Sequence, residues 1–200
     1  MIIADEELIK NFLEKDDEKA LEVLILRYLK PLYNFVLQLT GDGKAAEDIV
    51  QEVFVKVWKK ADSFDLDKKF STWIYAIAKN ATFDHFKKKK TLPFAAFENE
   101  DGTNALENIE DQAILHPNAL LERMDDVRNV HELLNTLSPK LKTILLLHHK
   151  QGFSLVEIAE ILGTPSNTIK SNYRRALIFL KKTSSLGSAN EDAPRTIPAA

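Results

Sequence analysis

Apolar residues recur along most of this chain at intervals of three and four, the repeat of one face of an α-helix. Leu21, Leu24, Tyr28, Leu32, Phe35 and Leu39 form the first long stripe, which Gly41 stops and in which Pro31 predicts a kink. Asp42 then stands as the cap of a helix striped by Ile49, Val50, Val53, Phe54, Val57 and Trp58. Ser71 or Thr72 opens the next, which carries Trp73, Ile74, Ile77 and Ala81 and runs out in Lys87, Lys88, Lys89 and Lys90. With a short helix over 5–13, these elements make a first domain, residues 1–90.

Residues 91–117 break the pattern: they show no stripe, contain Pro93, Gly102 and Pro117, and are rich in acids, which reads as a linker with at most a short helical turn. The stripe resumes with Leu120, Met124, Val127, Val130, Leu134 and Leu137, opening a second domain over 118–183. Ser138 and Pro139 are a cap and a first-turn proline for a helix over 140–150. Ser154 and Glu157 form a capping box ahead of Ile158, Ala159 and Leu162. After Gly163, Thr164 and Pro165, Ser166 or Asn167 caps a last helix to about residue 182, and 184–200 read as a frayed tail. With only 6 glycines and no alternating runs, the expected fold is all-α: two small helical domains joined by an acidic linker.

At 200 residues and 44% hydrophobic, the chain has material for one or two small cores. It has no cysteine, which excludes a disulfide scaffold, a thiol nucleophile and a cysteine zinc site, and fits a reducing cytoplasm. The longest apolar run, 73–78, is far short of the roughly 20 residues of a membrane span, and no basic leader precedes Asp5, so neither membrane insertion nor secretion is expected.

The net charge of -3 conceals a segregation. Residues 68–90 hold 1 acid and 7 bases, 91–126 hold 9 acids and 1 base, and 127–183 hold 3 acids and 9 bases. Two basic blocks flanking an acidic one predict a polyanion gripped at two places.

The short capped helix, glycine turn and longer basic helix over 154–182 spell a helix-turn-helix. Ala159 is small where the helices cross, Gly163 suits a left-handed turn, and Ile169, Tyr173, Ala176 and Leu180 face inward. Ser166, Thr168, Lys170, Ser171, Arg174 and Arg175 are then presented outward, a face suited to phosphates and base edges in a major groove. In the first domain Asp48, Gln51, Glu52, Val55 and Lys59 form a mostly polar stripe opposite the apolar one, with Val55 as a small apolar centre for a partner helix. Aromatics interleave with lysines from 64 to 90, an arrangement on which unpaired bases stack. Phe70 and Trp73 are expected in the core, which leaves Phe64, Tyr75 and Phe83 as surface readers.

Enzyme motifs fail. The 41–45 stretch hints at a phosphate loop, but Gln38 stands in place of its first glycine and Ala45 in place of its hydroxyl. A calcium-loop likeness over 97–108 fails at Phe97 and Asn108. His148 and His149 lack a carboxylate at metal-site spacing and are read as packing or surface residues. No cofactor or metal is expected.

Taken together, Ala46-Glu47-Asp48-Ile49-Val50-Gln51-Glu52-Val53-Phe54, then Phe70-Ser71-Thr72-Trp73-Ile74, then a terminal helix-turn-helix resemble the extracytoplasmic-function sigma factors of bacterial RNA polymerase, over about residues 5–183. The resemblance implies a region-two domain that binds the polymerase largest subunit through Asp48, Gln51, Glu52, Val55 and Lys59. The same domain would take the unpaired minus-10 strand on the 61–69 loop with Phe64 and Lys69, and on Ser71, Tyr75, Lys79, Asn80, Phe83, Asp84 and Lys87. It implies a region-four domain that reads the minus-35 element through Ser166, Thr168, Lys170, Ser171, Arg174 and Arg175, and an anti-sigma partner. The free chain is expected to be a monomer that binds DNA poorly, since each anchor alone is weak. Asn172 stands where the family usually has arginine and Arg174 where an apolar residue is common, so one phosphate or carboxylate partner is expected to be missing and promoter sequence cannot be borrowed from relatives. The competing reading is an autonomous regulator binding a palindrome as a dimer, for which no dimer seam is visible.

Overall fold

Local capping chemistry sets most helix boundaries in the computed structural model of the protein, which describes residues 3–89 and 133–188. The first half holds α1 (Asp5–Lys15), α2 (Glu18–Thr40), α3 (Gly43–Lys60), a 3-10 turn (Ala61–Ser63) and α4 (Phe70–Lys89). The second holds α5 (Pro139–Leu145), which runs on as a π-helical turn (Leu146–Lys150), then α6 (Leu155–Leu162) and α7 (Ser166–Ser188). No strand occurs among the described residues, and the fold is all-α. The expected linker, 91–117, and the stripe from Leu120 to Val130 lie outside the described residues.

Gly41 ends α2 in the left-handed region at φ 69°. The Asp42 carboxylate then opens α3 by accepting from the backbone of Lys44 at 3.0 Å and Ala45 at 3.2 Å. Ser138 and Pro139 start α5 as read from the sequence, and Ser154 with Glu157 closes a complete capping box on α6. Gly163 takes φ 61° in the turn between α6 and α7.

α2 is a single helix through Pro31 to Thr40, the span of its apolar stripe. Two boundaries differ from the sequence reading. α4 begins at Phe70 rather than at a Ser71 or Thr72 cap, because the Glu6 carboxylate of α1 accepts the Phe70 N–H at 3.1 Å. A cap supplied from α1 satisfies a donor that the local sequence leaves open. α7 runs to Ser188, past the expected end near residue 182 and into the stretch read as a tail.

The core of the first half joins Leu24, Leu32, Phe35, Val53, Val57, Phe70 and Ile74, each at most 1% exposed. Asp5 accepts from both the Arg27 guanidinium and the Tyr28 hydroxyl, fastening α1 to α2. Burial, followed by the hydrogen bond to Asp5, raises the Tyr28 hydroxyl pKa above its ordinary value. Trp58, expected in the apolar stripe, is 63% exposed. It lies one residue past Val57, so about 100° of helical turn carries it out of the stripe and onto the side of Gln51 and Val55.

In the second half Ile144, Leu147, Ile158 and Ile169 are fully buried. The two halves are in contact: α6 and the turn before it pack on α4, and Phe153, Ile158 and Ile169 belong to the same buried cluster as Phe35 and Phe70.

Candidate nucleic-acid and partner interfaces

On α3 the side opposite the core presents Asp48, Gln51, Glu52, Val55 and Lys59, all exposed. Glu52 pairs with Lys56 at 2.6 Å, one turn along. Trp58 extends this face, three residues beyond Val55 on the same side. The resulting surface is an apolar centre of valine and tryptophan with acids toward the helix start and lysines toward its end. Such a composition suits the centre of a protein contact. Sequence reading placed Trp58 in the core because tryptophan follows the apolar stripe as readily as it leaves it; its spacing from Gln51 and Val55 was the signal that could have found it.

The second face, over the 61–69 loop and α4, is smaller than expected. Phe64 and Tyr75, read as surface rings, are buried, at 7% and 3% exposure. Phe64 packs against Phe70 and Trp73, with centroids 5.8 Å and 5.1 Å away. Tyr75 meets Phe35 edge-on at 5.3 Å and Phe153 at 5.0 Å, and its hydroxyl donates to the Gln151 side chain. Burial raises the Tyr75 hydroxyl pKa. Both rings fill space between helices and are withdrawn as base-stacking candidates. Phe83 stays half-buried, with the Lys79 ammonium 5.9 Å from its centroid. Lys79 also donates to Asn80 Oδ1 at 2.7 Å, and its pKa is lowered by burial. Asn80, Asp84, Lys87 and Lys69 are exposed and Ser71 is half-buried. Lys79, Asn80, Phe83, Asp84 and Lys87 therefore cluster on one side of the last turns of α4, a cationic and aromatic strip.

The third face is the outer side of α7. Lys170 and Ser171 are exposed, and Ser166, Thr168, Arg174 and Arg175 are half-buried. Ile169, Ala176 and Leu180 face the core as expected, and Tyr173 is half-buried against it. Asn172 is 1% exposed: it follows Ile169 by three and precedes Ala176 by four, so helical phase turns it inward. Position 172 therefore has no place on the outer face. Its amide nitrogen has no hydrogen-bond partner among the described residues.

His148 and His149 prove to be packing residues. Their rings lie 4.8 Å apart and both meet Tyr173, at 5.0 Å and 5.7 Å. His148 Nδ1 donates to the Phe153 carbonyl at 2.7 Å, while His149 Nε2 and the Tyr173 hydroxyl share a 3.1 Å hydrogen bond. Burial first, then the neighbouring His148 and Lys150, lowers the His149 pKa to about 4. Among the described residues no cluster of His, Asp and Glu could hold a metal, and no helix is long and apolar enough to cross a membrane.

Comparison with known proteins matches the chain to a family. The family model of Sigma-70 region 2 matches residues 24–91, which carry the α3 and α4 faces, and that of Sigma-70 region 4 matches residues 128–180, which carry α5, α6 and most of α7. The ECF RNA polymerase sigma factor SigW of Bacillus subtilis is 31% identical over 171 residues, covering 84% of this chain and 91% of that protein. This chain belongs to the extracytoplasmic-function sigma factors. One further relative and two solved structures resemble the sigma factor. The RNA polymerase sigma-H factor of Pseudomonas aeruginosa is 28% identical, over 86% of this chain and 89% of that protein. Among solved structures, the sigma factor RpoE of Bartonella quintana, in complex with the anti-sigma factor NepR, superposes with a TM-score of 0.59 at 25% identity, over 80% of this chain and 94% of that one. CnrH, solved with the cytosolic domain of CnrY, shares the fold with a TM-score of 0.65 at 22% identity, over 96% of this chain and 100% of that one.

Proposed function

We propose that this sigma factor docks on core RNA polymerase through the exposed face of α3, with Val55 and Trp58 at its centre and Asp48, Gln51, Glu52 and Lys59 around them. The protein is an alternative sigma factor and directs transcription from its own class of promoters. Its work is binding and positioning, with no reaction of its own. The last turns of α4, with Lys69 of the preceding loop, take the displaced minus-10 strand: Phe83 offers a ring for stacking, and Lys79 and Lys87 offer charge for phosphates. α7 enters the major groove at the minus-35 element, with Lys170, Ser171 and Arg174 along the floor and Arg175 toward the phosphate wall. An anti-sigma factor is the expected regulatory partner.

The observation that carries this reading is the α3 face itself, where a tryptophan 63% exposed beside an exposed valine stands on a helix whose opposite side is wholly core. A solvated face has no use for such a residue, whereas a partner interface is built around one. Pull-down with core polymerase, followed by transcription from a genomic promoter library, tests it. Promoter-selective initiation is expected; a chain that binds promoter DNA alone and ignores polymerase would overturn it.

A further inference from the structure

Between Phe64 and Phe70, both buried, the chain puts residues 65–69 into solvent. The two rings that bound this loop meet at 5.8 Å, which closes it at its base. Within it the Asp65 side chain accepts from the Asp67 N–H at 3.1 Å, and the Asp65 carbonyl accepts from the Lys68 N–H at 2.9 Å. The last peptide of the loop, between Lys69 and Phe70, is held on both edges. Its carbonyl accepts from the Trp73 N–H at 3.3 Å, and its N–H donates to Glu6 Oε1 at 3.1 Å. The first of these bonds belongs to α4 itself, whereas the second comes from α1. α1 is in turn fixed: Leu8 and Ile9 are buried, and Asp5 accepts from the Arg27 guanidinium and the Tyr28 hydroxyl of α2. The Tyr28 ring meets that of Phe70 edge-on at 5.5 Å. The neighbouring carboxylates of Asp5 and Glu6 therefore brace α2 and α4 at the point where the loop ends. The segment matched by the region 2 model begins at residue 24, so the helix that supplies this brace lies ahead of it.

We propose that Glu6 is a positioning residue for minus-10 recognition: it fixes the peptide that aims Lys69, and α4 behind it, at the displaced strand. The inference rests on the assignment of Lys69 and α4 to that strand in the function proposed above. The Lys69 side chain is exposed and reaches Glu157 of α6 at 2.6 Å. It is the backbone beneath that side chain which Glu6 holds. Ordering a free loop at the moment of binding subtracts from affinity, and a loop set beforehand avoids that cost. Glu6 also carries charge, which favours the start of a helix and disfavours an approaching phosphate. The two ways in which Glu6 could act on strand binding therefore differ in sign. Were charge the whole of it, removing the carboxylate would strengthen strand binding. Acting through the Phe70 N–H, its removal weakens strand binding, because the loop must then be ordered by the strand itself.

Holoenzymes carrying Glu6→Ala, Glu6→Asp and Glu6→Gln test this on a promoter recovered from the genomic library, presented as intact duplex and with its minus-10 region pre-melted. Alanine removes acceptor and charge, aspartate keeps the charge but falls one methylene short, and glutamine keeps the acceptor without the charge. Glu6→Ala and Glu6→Asp should bind the pre-melted template about tenfold more weakly, the scale of one charge-assisted hydrogen bond. Both should open the duplex more slowly by permanganate footprinting, with affinity for core polymerase and helix content by circular dichroism unchanged. Glu6→Gln should bind at least as tightly as the parent. In the free chains the Phe70 amide should exchange with deuterium fast in Glu6→Ala and Glu6→Asp and slowly in the parent and Glu6→Gln, which reads the contact itself if one variant folds poorly. Parent-like binding by both Glu6→Ala and Glu6→Asp, tighter binding by Glu6→Ala, or a loss in Glu6→Gln equal to that in Glu6→Ala would overturn the inference. Lys69→Ala separates it from the reading on which it rests. Weaker strand binding by Lys69→Ala beside parent-like Glu6 variants overturns the positioning role alone, whereas parent-like binding by Lys69→Ala takes the loop off the strand and overturns both.

Discussion

Trp58 and Tyr75 exchange the roles that sequence reading gave them, and each exchange changes what a substitution should do. Trp58→Ala should weaken association with core polymerase by about 2 kcal/mol or more, the scale of an interface hot spot, with little change in thermal stability because most of the ring faces solvent. Titration of core polymerase against labelled sigma, alongside a melting curve, checks both halves of that statement. Tyr75→Ala should instead cost about 3 to 5 kcal/mol of folding stability, as loss of a core ring does, read by urea unfolding. Tyr75→Phe keeps the ring and should cost only about 1 kcal/mol, for the hydrogen bond to Gln151. Phe83→Ala is then the substitution expected to slow promoter opening more than it weakens duplex binding, measured by permanganate footprinting. Equal losses on a duplex and on a pre-melted bubble would remove Phe83 from the strand-binding face. These aromatics misled the sequence reading for a physical reason: a large ring beside lysines satisfies both a core and a stacking surface. Only the position of the neighbouring helices decides between them.

At the scale of the element, boundaries governed by adjacent residues were legible. Asp42, Ser138, the pair Ser154 and Glu157, and Gly163 all act within four residues of themselves and all stand where the pattern placed them. Features that draw on distant residues were not legible, such as the Glu6 cap on α4. The inward turn of Asn172 follows from helical phase, three residues after Ile169 and four before Ala176. The π turn and α7 meet in the His149 and Tyr173 pair, which gives a signed pH dependence. Folding lowers the His149 pKa from 6.5 to about 4, so the unfolded chain takes up the proton first, and stability present above pH 6.5 is lost as pH falls toward 4. His149→Gln should flatten the change in melting temperature over that window by about 2 to 5 °C, measured by circular dichroism. Along α7 the two arginines should fail differently. Arg174→Ala should cost roughly 1 to 3 kcal/mol and relax base preference at one or two minus-35 positions, whereas Arg175→Ala should weaken all sequences alike and flatten the salt dependence by about one phosphate. Promoter selection by each mutant holoenzyme separates them.

Considered whole, the larger buried cluster among the described residues runs through both helical halves. The shared packing predicts cooperative unfolding. Both tryptophans, Trp58 and Trp73, lie in the first half, so their fluorescence reports that half, while far-ultraviolet circular dichroism reports both. In urea the two signals should coincide for the parent and separate once Gln151→Ala and Glu157→Gln part the halves; separation in the parent would show that the shared cluster adds no cooperativity. What aims the second half at the first is the π turn over Leu146–Lys150. A π-helical turn carries one more residue than an α-helical turn of the same span. Excising Lys150, an exposed residue, would let the backbone ladder return to α-helical bonding. It would also swing everything beyond it by about 100° about the helix axis and draw Phe153 away from Tyr75. In that stretch the number of residues matters more than their identity: substitution at position 150 should pass unnoticed, while a deletion in frame should be as damaging as the loss of a core ring.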